Sequence, residues 1–304
     1  MVDTSDDWIE QRTGIRERHV CRPERGEGTL SLSIEALEVA LADANLKGSD
    51  LDLVIVSTVT GEMSCPSTAC RVASAVGAIP AGAFDISAAC PGYVYAMSLA
   101  DSLIRTGRYG TIAVVSADTI SQIADKTDRR MVVLFGDAAG ATILRRDDDP
   151  SVGCRYQTLQ SDGSRWAELY IPRDERHAPP GADWNTVKLG CLQMNGPEVY
   201  RFALQRIQEC LVDLFEHGNV TIDDIRMLIV HQSNARMIEN AKRRLRLPDE
   251  KVYMNIDRFG NTSSASIPLA FHELWREDKL KHGDLLAFVA FGGGLTWGSA
   301  LWQL

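Results

Sequence analysis

Long apolar runs, an excess of basic charge, paired cysteines and abundant aromatic residues are all missing from this sequence. The longest apolar stretch, Leu285 to Leu295, is eleven residues and is broken by Gly292, Gly293 and Gly294, well short of the ~20 residues that span a bilayer. No membrane association is expected. The first ten residues carry Asp3, Asp6, Asp7 and Glu10 without Lys or Arg, so they offer neither half of a secretory signal, and a cytoplasmic location is expected. Lys and Arg number 32 against 41 Asp and Glu, a formal charge of −9. Such a chain repels a phosphate backbone, which argues against a nucleic-acid partner and requires any anionic ligand to find a local basic patch. The seven cysteines, Cys21, Cys65, Cys70, Cys90, Cys154, Cys191 and Cys210, are odd in number and form no C-x-x-C pair. They read as reduced thiols, and no metal site is expected. With 7% aromatic, 45% hydrophobic and 24% charged residues, the composition is that of a globular protein with a real core.

What is present is α/β patterning that occurs twice. A length of 304 residues fits two domains or one duplicated unit. Ile34, Leu37, Leu41 and Ala44 mark one face of a helix, followed by the Lys47-Gly48-Ser49-Asp50 turn and the strand Leu53 to Val56. Ala203, Ile207, Cys210, Leu211 and Leu214 mark another, followed by His217-Gly218-Asn219 and the strand Met227 to Val230. Val54 and Leu228 stand 174 positions apart (228 − 54), and so do Ala113 and Ala287 (287 − 113) in a second pair of apolar strands. Each strand of that second pair is followed by a Phe-Gly loop, at Phe135-Gly136 and Phe291-Gly292. Two repeats at one offset predict homologous halves, 1–150 and 151–304, joined through the charged segment Arg145 to Pro150.

Three polar sites interrupt this pattern. Cys90 falls where the strand through Phe84 to Ile86 gives way to a helix through Val94, Met97 and Leu103. Pro91 suits the first helical position, which predicts Cys90 at the N-cap with its thiol pKa lowered toward neutrality by the helix end. The alternative is a small buried hydrophobe. His231-Gln232-Ser233-Asn234 directly follows the strand Leu228 to Val230, at the carboxyl end of a sheet strand where α/β proteins place ligands; a structural histidine is the other reading. Asn261, in Gly260-Asn261-Thr262-Ser263-Ser264-Ala265-Ser266, is either a functional amide or a helix cap. The glycines at 292–294 precede a strand, not a helix, which argues against a dinucleotide cradle. They permit close approach of backbone N–H groups to a bound oxygen, as an oxyanion hole requires. Cys, His, Asn and a glycine loop together point to acyl chemistry.

These residues carry a resemblance to a known family. The segments Trp8 to Arg16, Ala88-Ala89-Cys90, Phe135 to Ala141, His231 to Asn234, Gly260 to Ser263 and Phe291 to Gly298 resemble the β-ketoacyl-acyl carrier protein synthase III enzymes, condensing enzymes of the thiolase fold. The resemblance covers nearly the whole chain. It implies an α/β, thiolase-like duplicated fold of two similar helix-covered sheets in a layered α-β-α-β-α arrangement. It implies catalytic roles for Cys90, His231 and Asn261, with the N–H groups of Cys90 and Gly293 as the oxyanion site. Cys90 would take an acyl group from an acyl-coenzyme A. His231 and Asn261 would then hold the malonyl thioester of malonyl-acyl carrier protein as it loses CO2 and attacks the acyl group, to start fatty acid synthesis.

By the same resemblance Trp8, Arg12 and Arg129 match positions that bind the coenzyme A nucleotide, and Gly196, Asn234 and Arg236 match the pantetheine channel. Coenzyme A enters as a substrate thioester; no cofactor is implied. Arg236, Lys242, Arg243, Arg244 and Arg246 stand against one acid, Glu239, and read as a docking strip for the acidic carrier protein. Family members usually begin about two dozen residues earlier, with a strand that the resemblance places centrally in the first sheet. Cys65 stands where the family often has an aromatic residue that closes the acyl pocket from the partner subunit of a homodimer, so primers longer than acetyl are expected. A thioester acyltransferase or hydrolase, a specialised polyketide-priming condensing enzyme, or a catalytically silent carrier-binding protein are the alternatives.

Overall fold

The computed structural model describes residues 2–183 and 187–304. Ser5 accepts from the Trp8 N–H to cap α1 (Asp6–Thr13), and Gly14 closes that helix at φ 79°. α2 (Thr29–Asp43) buries Leu37 and Leu41, and β1 (Leu53–Ser57) is buried along its length, as a strand covered on both faces must be. α3 (Thr68–Ala75), capped by Ser67, leads to β2 (Gly82–Ile86). Then come α4 (Gly92–Arg105), β3 (Thr111–Thr119), the one-turn α5 (Arg129–Val132) and β4 (Asp137–Arg145).

The second half opens with β5 (Gly153–Ser161) and a short ribbon of β6 (Leu169–Tyr170) and β7 (Gln193–Met194). α6 (Gly196–His217), β8 (Met227–Val230), α7 (Ala235–Leu245) and β9 (Val252–Tyr253) follow. The one-turn α8 (Ile256–Phe259), α9 (Ser266–Arg276) and the strands β10 (Leu285–Gly292) and β11 (Thr296–Gln303) complete it.

The first sheet has the order β2-β1-β3-β4 and the second β5-β11-β10-β8-β9. In both, the central strands are parallel and the next one outward is antiparallel. The repeat extends to single residues: Val54 pairs with Ala113 and Leu228 with Ala287, the four positions that share one offset in the sequence. Alternation along the strands then sorts the core into layers. Val54, Val56, Ala113 and Val115 pack outward with Leu37, Leu41 and Val72 of α2 and α3. Ile55 and Val114 face inward, and with Ile229 and Phe288 of the other sheet they enclose Tyr93, Met97, Ile267 and Leu274 of α4 and α9. Leu228, Val230 and Val289 pack outward against Ile207, Leu211 and Ile238 of α6 and α7. The result is the α-β-α-β-α layering expected from the resemblance, and Arg146 to Pro150 is an exposed surface connection.

One expectation is corrected. The centre of the first sheet is filled, because β1 pairs on both sides with β2 and β3. Compared with the second sheet, the first lacks among the described residues a strand at the outer edge of β4, where the second has β5 beside β11. A groove of about 1070 Å³ runs along that edge between α2 and α9, and none of Cys90, His231 or Asn261 lines it.

Candidate active site

Cys90 lies in the turn between β2 and α4. Ala89 adopts φ 50° and its carbonyl accepts from the Gly92 N–H at 2.9 Å. Gly92 is required there: a Cβ would sit 1.9 Å from Ser57 Oγ. The helix therefore starts one residue later than expected, with Pro91 as N-cap and Cys90 just ahead of it. The expected acidic thiol is also corrected. Burial pushes the Cys90 thiol up to about 12, the Ser263 hydroxyl pulls the other way, and the Asp118 charge adds to the rise. Desolvation of a sulfur deep in the fold outweighs the helix end. Cys90 nevertheless keeps part of its surface open to solvent.

His231 continues β8, its N–H donating to the Val289 carbonyl at 2.8 Å. The side chain is buried, its ring edge-on to Phe291 at 5.3 Å between centroids. Burial pushes its pKa down to about 3, so the imidazole is neutral at pH 7. Nδ1 lies 2.8 Å from Ser266 Oγ, which also accepts from the Gln232 N–H at 3.4 Å. Nδ1 is the acceptor available to the Ser266 hydroxyl proton among the described residues, and we assign the ring N–H to Nε2 on this network.

Asn261 is set by a crossover between halves. Its N–H donates to the Leu134 carbonyl at 2.8 Å and its carbonyl accepts from the Gly136 N–H at 3.0 Å, with Gly260 before it at φ 67°. Its Oδ1 accepts from the Ser263 N–H at 2.9 Å. The amide thus does the local capping that Asn often does, and its NH₂ group has no hydrogen-bond partner among the described residues. Ser263 in turn donates its hydroxyl to Cys90 Sγ at 3.5 Å. A single loop, 261–266, therefore touches the thiol through Ser263, fixes the carboxamide, and holds the imidazole through Ser266.

The glycine loop closes the fourth side. A Cβ on Gly292 would stand 2.9 Å from the Cys90 nitrogen and 3.0 Å from its Cβ, and one on Gly293 would stand 3.6 Å from Ala89 Cβ. Neither the Cys90 nor the Gly293 N–H donates to a backbone carbonyl among the described residues, so neither is taken up by the backbone of the fold. Thr296 Oγ1 lies 3.2 Å from the Ala88 carbonyl and 2.7 Å from that of Gly293, tying the two loops together. Ser263, Ser266 and Gly292 are the contacts that sequence reasoning did not assign. The serines stood in the motif around Asn261, but only the long-range packing gives them partners.

Comparison with known proteins gives the family. Residues 84–163 match the sequence model of 3-oxoacyl-[acyl-carrier-protein] synthase III and residues 215–304 that of its C-terminal part. A β-ketoacyl-[acyl-carrier-protein] synthase III of Caldanaerobacter subterraneus is 43% identical over 301 residues, 99% of this chain and 90% of that one. The crystal structure of the Aquifex aeolicus synthase III superposes with a TM-score of 0.91 at 38% identity, covering 100% of this chain and 92% of that one. The Thermus thermophilus synthase III gives 0.91 at 37%, with the same coverage. The chain belongs to the β-ketoacyl-[acyl-carrier-protein] synthase III family. It is a condensing enzyme of the thiolase fold.

The other predicted site residues lie on or beside α1, α3, α5, α6 and α7. Arg129 lies over the Trp8 ring at 4.9 Å and Arg12 at 5.7 Å, so these three form one cation–aromatic cluster. Asn234 caps α7, accepting from the Arg236 N–H at 2.9 Å, and its Nδ2 donates to the Arg12 carbonyl at 3.3 Å. Gly196 opens α6, and nothing lies within 4 Å of where its Cβ would stand. Arg236, Arg243, Arg244 and Arg246 are exposed. Lys242 is a correction: its ammonium is buried between Glu239 at 2.8 Å and Asp249 at 2.9 Å, so it has no charge left for a partner. Cys65 is exposed ahead of α3, and none of the contacts around Cys90 involves it.

Proposed function

We propose that Cys90, His231 and Asn261 perform a decarboxylative Claisen condensation between an acyl-coenzyme A and malonyl-acyl carrier protein. The convergence of the 261–266 loop on both the thiol and the imidazole supports this reading most directly. Cys90 Sγ attacks the acyl thioester, the bond to the coenzyme A sulfur breaks, and the thiol proton leaves with coenzyme A. The Cys90 and Gly293 N–H groups face the oxygen that becomes negative. In the second step the malonyl C–CO2 bond breaks and its electrons pass to the thioester oxygen. His231 Nε2–H and the Asn261 NH₂ are the neutral donors for that enolate. Its carbon then attacks the acyl carbonyl, the Cys90 sulfur leaves as thiolate and takes up a proton from solvent to restore the thiol, and 3-ketoacyl-carrier protein departs.

The decisive assay measures CO2 from malonyl-carrier protein in the presence of an acyl-coenzyme A. A condensing enzyme yields CO2 and 3-ketoacyl-carrier protein in equal amounts; a hydrolase or simple acyltransferase releases no CO2.

Trp8, Arg12 and Arg129 serve the nucleotide of coenzyme A in this reading, and Gly196, Asn234 and Arg236 line its channel. Arg236, Arg243 and Arg244 dock the carrier protein. Arg243→Glu with Arg244→Glu is expected to raise KM for malonyl-carrier protein about tenfold or more, since each reversal replaces attraction by repulsion. Acylation by acyl-coenzyme A should stay within twofold; an equal loss in both half-reactions would reject the docking role.

The reading also takes the chain as a cytoplasmic homodimer with halves 1–150 and 151–304, in which Cys65 lines the partner subunit's acyl pocket. A thiol in place of a ring leaves room for longer acyl chains. In a primer series from acetyl to octanoyl, Cys65→Phe should shift the preference toward acetyl, whereas an unchanged profile removes Cys65 from the pocket.

A further inference from the structure

Asp118 stands near the end of β3, fully buried, with its carboxylate held from both halves of the molecule. Oδ1 accepts from the Val59 N–H at 2.9 Å and from Thr58 Oγ1 at 3.2 Å. Oδ2 accepts from Ser264 Oγ at 2.6 Å and from the Ser264 N–H at 3.2 Å. These partners are hydroxyls and backbone N–H groups, and no cation is among them. A buried carboxylate in such a setting is costly to stability, which directs attention to what it holds in place. Ser264 is the neighbour of Ser263, whose φ of 53° lies in the left-handed region. A residue with a Cβ stays there only where its surroundings impose it. That turn is what sends the Ser263 N–H to Asn261 Oδ1 and its hydroxyl to Cys90 Sγ.

We propose that Asp118 is a positioning residue for acyl transfer: through Ser264 it fixes the left-handed turn that sets the Ser263 hydroxyl against the Cys90 sulfur. The proposal rests on Cys90 as the nucleophile. A donor at that distance favours the thiolate over the thiol, so losing it slows every reaction of the sulfur. The charge of Asp118 acts in the opposite sense, since a nearby anion disfavours the thiolate. Removing the charge alone would therefore speed the sulfur, and a slowing reports lost position.

The experiment follows alkylation of Cys90 by iodoacetamide at a fixed pH near 8, resolved by peptide mass from the exposed Cys65 and Cys70. Asp118→Leu, which keeps the side-chain shape and removes both acceptors of Ser264, is expected to slow Cys90 alkylation about tenfold, the scale of one hydrogen bond to a charged group. In a Ser263→Ala chain the same change should cause no further slowing, because the two act through one contact. Ser264→Ala, a milder change that preserves the buried carboxylate, should repeat the pattern if Asp118→Leu does not fold. Alkylation that is unchanged or faster in the otherwise native chain, or equal slowing with and without Ser263, overturns the proposal. Intact-mass measurement of the native chain with acyl-coenzyme A separates the two readings: an adduct away from Cys90 removes the nucleophile assignment, and this proposal with it.

Discussion

Cys90→Ala is expected to abolish acyl-enzyme formation and to lower condensation by about 10³-fold or more, the usual scale for removing the nucleophile of a covalent mechanism. Intact mass after incubation with acyl-coenzyme A should show no adduct in the variant and a single one in the native chain. The loss should be confined to one half of the chemistry. The substitution takes from the 261–266 loop only the Ser263 contact to sulfur and leaves the bonds of Asn261 to Ser263 and of His231 to Ser266 in place, so CO2 release from malonyl-carrier protein should fall far less than condensation. The fold should tolerate the change, because the one side-chain bond the sulfur accepts among the described residues is the 3.5 Å contact from Ser263 and the turn is closed by backbone, from the Gly92 N–H to the Ala89 carbonyl. An acyl adduct that persists in Cys90→Ala, or CO2 release that falls in step with condensation, would contradict the division of labour drawn here.

Much of the fold was legible because its central parallel strands are buried on both faces. Such strands are written as unbroken apolar runs, and the offset shared by Val54/Leu228 and Ala113/Ala287 survives as a register of paired residues. Cys90, His231 and Asn261 were legible for a related reason: each interrupts an apolar pattern at the end of a strand or the start of a helix, where a polar group has no packing role to play. What the sequence did not carry was the consequence of burial. The helix end behind Cys90 is a local feature and favours a thiolate, but the thiol's environment is assembled from both halves of the fold and raises its pKa instead. Lys242 follows the same logic. Its own helix shows one acid, Glu239, whereas the partner that completes its pairing, Asp249, lies beyond the end of that helix. Asp118 was hidden because a strand's last turns are polar in many proteins, and its link to Ser264 joins residues 146 positions apart.

The second large effect falls on the other half of the reaction. His231→Ala and Asn261→Ala are each expected to lower condensation about 10²–10³-fold, the range observed when one preorganised donor to a developing oxyanion is removed. Acylation of Cys90 should persist in both, since neither side chain hydrogen-bonds the thiol and Ser263 does. This is the reverse of the Cys90→Ala pattern, and intact mass read beside CO2 release distinguishes them. The pH dependence follows from burial. With its pKa pushed down to about 3, His231 is a neutral donor across pH 5–8 and contributes no acid limb to the rate near the ordinary histidine pKa of about 6.5. Stability carries the linkage instead. The unfolded chain takes up the proton near pH 6.5 and the folded one only near pH 3, so below 6.5 the unfolded state holds more protons and is favoured. Stability is therefore full above pH 6.5 and falls as pH drops toward 3, by up to about 1.4 kcal/mol per pH unit from this residue. Urea unfolding of native and His231→Ala chains between pH 4 and 7 should show the variant with the shallower slope. A condensation rate that titrates with a pKa near 6.5 lost on His231→Gln would instead mean that the imidazole works as an acid or base, and the two-donor account of the enolate would fail.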